Sequence, residues 1–91
     1  MSAEHETWTR GYRSFLQARD IENRAADARF AAIPDYKTAA ILYMEAAALY
    51  EIAGALCNTP AYTARSRDAF ERAMASDTGE RWYANLPPEK R

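Results

Sequence analysis

Between Tyr36 and Cys57 the chain reads YKTAAILYMEAAALYEIAGALC, an apolar run broken only by Lys37, Thr38, Glu45, Glu51 and Gly54. A surface helix keeps one polar face, whereas a helix that is apolar nearly all round must be covered from several directions. The run therefore predicts a central helix over 36–57, with the segments on either side folded back against it. It is also long enough to raise the question of a membrane. Against that stand Glu45 and Glu51 in its middle, since a charged side chain at the centre of a spanning helix costs roughly 2.5–3.5 kcal/mol. Alanine, the commonest residue of the run, offsets little of that cost. The expectation is a buried helix of a soluble protein, with no membrane partner.

The flanks read as helices of the ordinary amphipathic kind. Before the run, Trp8, Tyr12, Phe15, Leu16, Ala26, Phe30 and Ile33 recur in steps dominated by three, four and seven, the spacing of one helical face. Arginines and acids of mixed sign fill the other face. Gly11 weakens the first turns, and Pro34 pushes the residue before it away from helical geometry, so a first helix over about 4–33 is expected. Asp35 then stands where an N-cap is needed for the central helix. Thr59-Pro60 is the clearest punctuation in the chain, with threonine as N-cap and proline at the first helical position. A third helix is expected over about 60–77, with Tyr62, Ala69, Phe70 and Ala73 inward and Gly79 as its stop. No alternating run bounded by turn residues suggests a strand. The fold expected is all-α, three antiparallel helices forming one domain over 1–79. A short aromatic C-terminal tail, 80–91, completes it.

Ninety-one residues bury only about 60–65% of the unfolded surface, which makes a partner or a second copy a plausible source of added stability. Twelve basic residues balance thirteen acidic ones, so the strong basic signature of an autonomous nucleic-acid binder is missing. The first residues are polar and acidic where a leader would be basic and then apolar. Cys57 is the single cysteine and cannot form an intramolecular disulfide, which fits a reducing, cytoplasmic setting.

Residues suited to catalysis are scarce. His5 is the one histidine, and nothing near it in sequence could orient or charge it. Cys57 ends an apolar helix with no lysine or arginine close by, so a small buried hydrophobe is its expected role. Glu45 and Glu51 are six apart and point to different sides of a helix. There is no metal-ligand spacing and no glycine-rich phosphate loop. Neither an enzyme nor a cofactor is expected.

The tyrosines carry a clearer pattern. Tyr36, Tyr43 and Tyr50 recur every seven residues, and Ala39, Ala46 and Ala53 follow at the same interval. This is a seam of large and small residues suited to close helix contact. One reading is an intramolecular seam against the first or third helix; the other leaves part of the stripe open for a partner, since tyrosine packs by its ring while its hydroxyl reaches water. Trp82 and Tyr83 in the tail are candidates for the same docking surface. Arg65, Arg67 and Arg72 of the third helix, with Lys90 and Arg91, supply an alternative: contact with nucleic-acid phosphates. Asp68 and Glu71 dilute that patch.

Tyr36-x-x-Ala39-x-x-x-Tyr43-x-x-Ala46 is similar to the second helix of a tetratricopeptide repeat, and Phe70-x-x-Ala73 followed by Asp77 resembles the end of another. That resemblance implies stacked helix pairs that bind peptides or partner proteins. The preceding helix lacks the family's tryptophan and glycine positions, and Thr78 stands where that repeat usually has proline. Asp35-Tyr36, Ala39-Ala40, Tyr43 and Ala46-Ala47, with Asn58, Arg67 and Phe70, more loosely resemble the helical hairpin of small bacterial regulators of the ANR and PerC type. Those act through contacts with transcription factors; Tyr43 stands here where a tryptophan is usual. Both resemblances imply a non-catalytic helical module that regulates or assembles a protein partner. A homodimer is the expected assembly.

Overall fold

Three helices make up the computed structural model: α1 (Ala3–Arg29), α2 (Tyr36–Cys57) and α3 (Pro60–Ala84). It describes residues 3–87 and 90, apart from the side chains of residues 82–84, and these include no strand. The boundaries of α2 are those expected. Its N-terminus is closed by Asp35, whose Oδ1 accepts from the Thr38 N–H at 3.1 Å. Hydrogen bonding from Thr38, through its side chain and then its backbone, holds the Asp35 carboxyl below its ordinary range. At the other end Asn58 adopts the left-handed conformation (φ 50°, ψ 47°), and its N–H returns to the Gly54 carbonyl.

The other two helices depart from expectation at their C-terminal ends. α1 stops at Arg29 rather than near 33, and the Asp35 N–H reaches back to the Ala28 carbonyl at 2.9 Å. The reversal that lays α2 beside α1 uses residues 30–35, and the proline at 34 closes that turn. Phe30 and Ile33, expected on the inward face, are 73% and 80% exposed at its tip. α3 runs to Ala84, seven residues past the expected end and into the segment read as a tail. Gly79 does not stop it. A Cβ there would lie 3.0 Å from Cδ1 and Cε1 of Tyr36, so the glycine admits that ring against a continuous helix. Gly11 does the same within an unbroken α1: a Cβ would meet Cys57 Sγ at 2.6 Å and Leu56 Cβ at 2.8 Å. The Thr59 hydroxyl donates to the Cys57 carbonyl at 3.0 Å and so turns back into the bend, away from α3.

α2 lies between α1 and α3 and is antiparallel to both, whereas α1 and α3 scarcely touch. Along α3 the register is marked by the Ser66 hydroxyl donating to the Ala47 carbonyl at 2.7 Å, and by Tyr36 against Gly79. Along α1 it is marked by Cys57 beside Gly11 and Tyr50 beside Glu22. α1 therefore overhangs one end of α2 and α3 overhangs the other. The molecule is 61 Å long and 17 by 14 Å across, although α2 itself spans only about 33 Å at 1.5 Å per residue.

Among the described residues eight alanines lie buried at these seams: Ala18, Ala25, Ala39, Ala46, Ala47, Ala53, Ala69 and Ala73. Phe15, Tyr43 and Tyr50 are the large buried side chains among the described residues. Alanine lets helix axes approach toward the lower end of the usual 8–10 Å range. A methyl group, however, stabilises by only about 0.8 kcal/mol when buried. Helices held so close leave no room between them for the longer side chains at flanking positions. Trp8, Tyr12, Leu16, Ile41, Met44, Ile52, Phe70 and Met74 accordingly stay about half exposed.

Where α1 and α3 do meet, long side chains bridge one edge of α2. Phe15 stacks on Tyr62 with centroids 4.4 Å apart, and the Arg65 guanidinium lies 5.1 Å from the Phe15 ring. Glu22 Oε1 accepts from the Tyr50 hydroxyl at 3.3 Å while Oε2 pairs with Arg72 Nη1 at 3.0 Å. This side of the array is closed.

Candidate functional site

The tyrosine stripe sits on the closed side. Tyr43 is 2% exposed and Tyr50 fully buried, and Tyr36 is half-buried with its ring against Gly79. Of the two readings of the stripe, the intramolecular seam is the one the packing supports, and an open docking face at Tyr43 and Tyr50 is set aside. The physical reason is the interval itself. Tyr43 and Tyr50 share a stripe with Ala39, Ala46 and Ala53, and all five are buried where the neighbouring helices pack on α2. Burial and then the Glu22 charge push the Tyr50 hydroxyl above its ordinary pKa of 10.0. The backbones of Trp82 and Tyr83 belong to the last turns of α3; their side chains lie outside the described residues.

The three arginines of the alternative reading do not form one patch. Arg65 covers the Phe15 and Tyr50 rings and Arg72 pairs with Glu22, both on the closed edge. Arg67 lies on the opposite side, beside Met44, Ala48 and Glu51. Arg91 lies outside the described residues, and Lys90 is exposed. A phosphate backbone would have to be followed around the molecule to touch all three helix arginines.

His5 is exposed near the start of α1. The Cys57 Sγ is half-buried and donates to the Trp8 carbonyl at 3.4 Å, and burial pushes its thiol above the usual range, away from the reactive thiolate. Among the described residues no group of three His, Cys, Asp or Glu side chains converges to hold a metal ion. α2 has the length and apolar composition of a membrane span, and its Glu45 and Glu51 are both exposed on the side that α1 and α3 leave uncovered.

A concavity opens on that uncovered side. Ile41 and Met44 of α2 face Phe70 and Met74 of α3 across an open groove of about 690 Å³. Each of the four is between 43% and 58% exposed. At one end the groove adjoins a second hollow, which shares Met44 and Phe70 with it and is lined also by Glu51 and Arg67. Asp77, Thr78 and Arg81 stand at the other, with Arg81 and Asp77 paired at 3.0 Å. The floor is apolar, Glu45 stands on the α2 wall, and the ends are charged.

Sequence reasoning placed Phe70 inside and gave Ile41, Met44 and Met74 no role. A signal for them does exist. Ala69, Ala73 and Ser76 are all buried and follow the i, i+4, i+7 pattern of the α3 stripe that meets α2. Phe70 and Met74 are each one position further on, rotated by about 100° out of the seam. Small residues mark the contact here, and large ones mark its open margin. The chain matches no protein-family model, no curated protein and no solved structure.

Proposed function

We propose that this protein is a small, non-catalytic helical module that works by docking an amphipathic helix of a protein partner into the α2/α3 groove, and so regulates or assembles that partner. The observation that carries this reading is the inversion of its packing. Alanines fill the seams while Ile41, Met44, Phe70 and Met74 line an open groove with charged ends. Helix-in-groove recognition needs an apolar channel wide enough for side chains at i, i+3 or i+4, and i+7. Methionine suits such a channel, because its unbranched thioether repacks around differently shaped ridges. Each end carries both signs, Arg67 with Glu51 and Asp77 with Arg81, so an occupant whose apolar ridge is flanked by an acid and a base finds a charged partner at either end. The likeness to tetratricopeptide hairpins and to small helical regulators supports the same role, and the lone thiol of Cys57 fits a cytoplasmic setting.

The test is a titration of methyl-labelled methionine protein with a helical peptide that carries an apolar i, i+3, i+7 ridge, an acid at one end and a base at the other. Saturable shifts are expected at the Met44 and Met74 methyls, and Met74→Glu should abolish them with the helical circular dichroism unchanged. Silent methyls at both positions through millimolar peptide would refute the docking reading.

A further inference from the structure

We infer that the occupant of the α2/α3 groove is a second copy of this chain, with the two α3 helices antiparallel across a two-fold axis. This deepens the proposed function and rests on its reading of the groove as a helix-docking site.

The argument comes from the order of side chains along the open face of α3. Arg67, Phe70, Met74 and Asp77 follow one another in steps of three, four and three, which keeps them on one helical face. Phe70, Met74 and Asp77 line the groove, and Arg67 lines the hollow that adjoins it and shares Met44 and Phe70 with it. Read in the opposite direction, the row has the same chemistry with its charges exchanged: base, apolar, apolar, acid becomes acid, apolar, apolar, base. The row is centred on the level of residue 72, with Arg67 and Asp77 each about 7.5 Å from that centre along the axis. An antiparallel second copy therefore sets its Asp77 against Arg67 and its Arg67 against Asp77. Phe70 of each copy meets Met74 of the other. A two-fold axis demands this self-complementarity, since the same patch must serve as both sides of the contact.

The neighbours of this row are suited to the arrangement. Ile41 and Met44 wall the groove beside Met74 and Phe70, so the apolar ridge of the second copy is flanked by side chains as well as met head-on. Asp77 is paired now with Arg81, but Arg81 is exposed and Asp77 about half exposed, and an i, i+4 pair of this kind contributes so little that exchanging it for Arg67 of the second copy is cheap. Four half-exposed large side chains offer about 400 Å² of contact per copy. The matching face doubles that to about 800 Å², below the roughly 1,200 Å² of standard interfaces and within the range of weak, transient ones. The dimer is thus a reversible one.

Sedimentation velocity on the full chain over about 5–500 µM, a span that brackets a micromolar dissociation constant, tests this with four proteins: wild type, Arg67→Asp, Asp77→Arg and the double reversal. Wild type should pass from monomer to dimer over that range. Each single reversal creates two like-charge contacts per dimer and should raise the dissociation constant about tenfold or more. The double reversal restores both pairs with the signs exchanged and should return the dimer. Circular dichroism on all four should be the same. A monomeric wild type, a dimer indifferent to the single reversals, or a double reversal as weak as either single one overturns the inference. A monomeric wild type whose Met44 and Met74 methyls still respond to the helical peptide overturns self-association alone. One whose methyls stay silent removes the groove reading with it.

Discussion

Replacing Gly11 by alanine sets two well-known effects against each other, and the geometry decides between them. By helix propensity alone, alanine in the interior of a helix is favoured over glycine by about 0.8–1.0 kcal/mol, so a reading confined to α1 expects stabilisation. The structure places the new Cβ 2.6 Å from Cys57 Sγ, 2.8 Å from Leu56 Cβ and 3.3 Å from the Cys57 backbone nitrogen. Carbon contacts are favourable near 3.5–4.0 Å, so α1 must withdraw from the end of α2 by roughly 1 Å. A cysteine thiol could swing aside, but the Cβ of Leu56 and the backbone of Cys57 cannot move without their helix. Inserting one methyl group into a tight site costs about 1–3 kcal/mol, and a 1 Å retreat also forfeits a quarter to a half of the dispersion between the facing atoms. The net is a loss of about 1–2 kcal/mol. A chain of this size converts that to a fall in Tm of about 5–15 °C. Urea unfolding followed by helical circular dichroism gives the free energy, and a thermal scan gives the midpoint. A control at an exposed α1 site, Asn23→Ala, should be neutral or mildly stabilising. A Gly11→Ala protein that melts at or above the wild-type temperature would refute the close approach of α1 and α2 at this end.

Two further outcomes follow from single side chains. Ser76 is fully buried, and its hydroxyl has no hydrogen-bond partner among the described residues, so Ser76→Ala should raise the unfolding free energy by about 1–2 kcal/mol in urea titration. Tyr50 has its pKa raised in the fold, by burial and then by Glu22, so the unfolded chain loses its phenolic proton first as pH rises past 10. There the unfolded state binds fewer protons than the native one, and stability must decline with pH above 10 until the native hydroxyl also ionises. Tyr50→Phe should flatten that alkaline decline, while costing about 0.5–1.5 kcal/mol near neutrality through the lost bond to Glu22.

The central helix was legible to the residue, because everything that sets its limits is local. Asp35 caps it and Asn58 ends it, and a cap acts over one turn whatever the tertiary setting. The seam of Tyr43, Tyr50 and three alanines was legible as a contact for a similar reason, since spacing alone puts those residues on one side. Periodicity cannot tell which side of a nearly all-apolar helix its own chain covers, and so could not show that Tyr43 and Tyr50 are buried by the neighbouring helices. The ends of α1 and α3 were misread because Phe30, Ile33 and Gly79 were judged by residue type. Phe30 and Ile33 have no surface to pack on beyond the turn, and the role of Gly79 is set by Tyr36, more than forty positions away in sequence. The candidate groove needs Met44 and Phe70 side by side, a relation that exists only once the register of α2 against α3 is known.

The near-absence of contact between α1 and α3 also bears on how the chain reaches its fold. Nearly every tertiary contact joins helices that are consecutive in sequence, so two short antiparallel hairpins account for the architecture. Each can close without waiting for the other, as units of a repeat array do when every unit depends on its neighbour alone. α2 is required in both, so folding can begin at either bend and must converge on the same middle helix. The Phe15–Tyr62 stack and the Glu22–Arg72 pair form only once both hairpins are in place, and so lock the assembly last. Contacts this local favour formation in microseconds to milliseconds. Native-state hydrogen exchange should then show α2 as the most protected segment, with α1 and α3 opening separately at lower free energies.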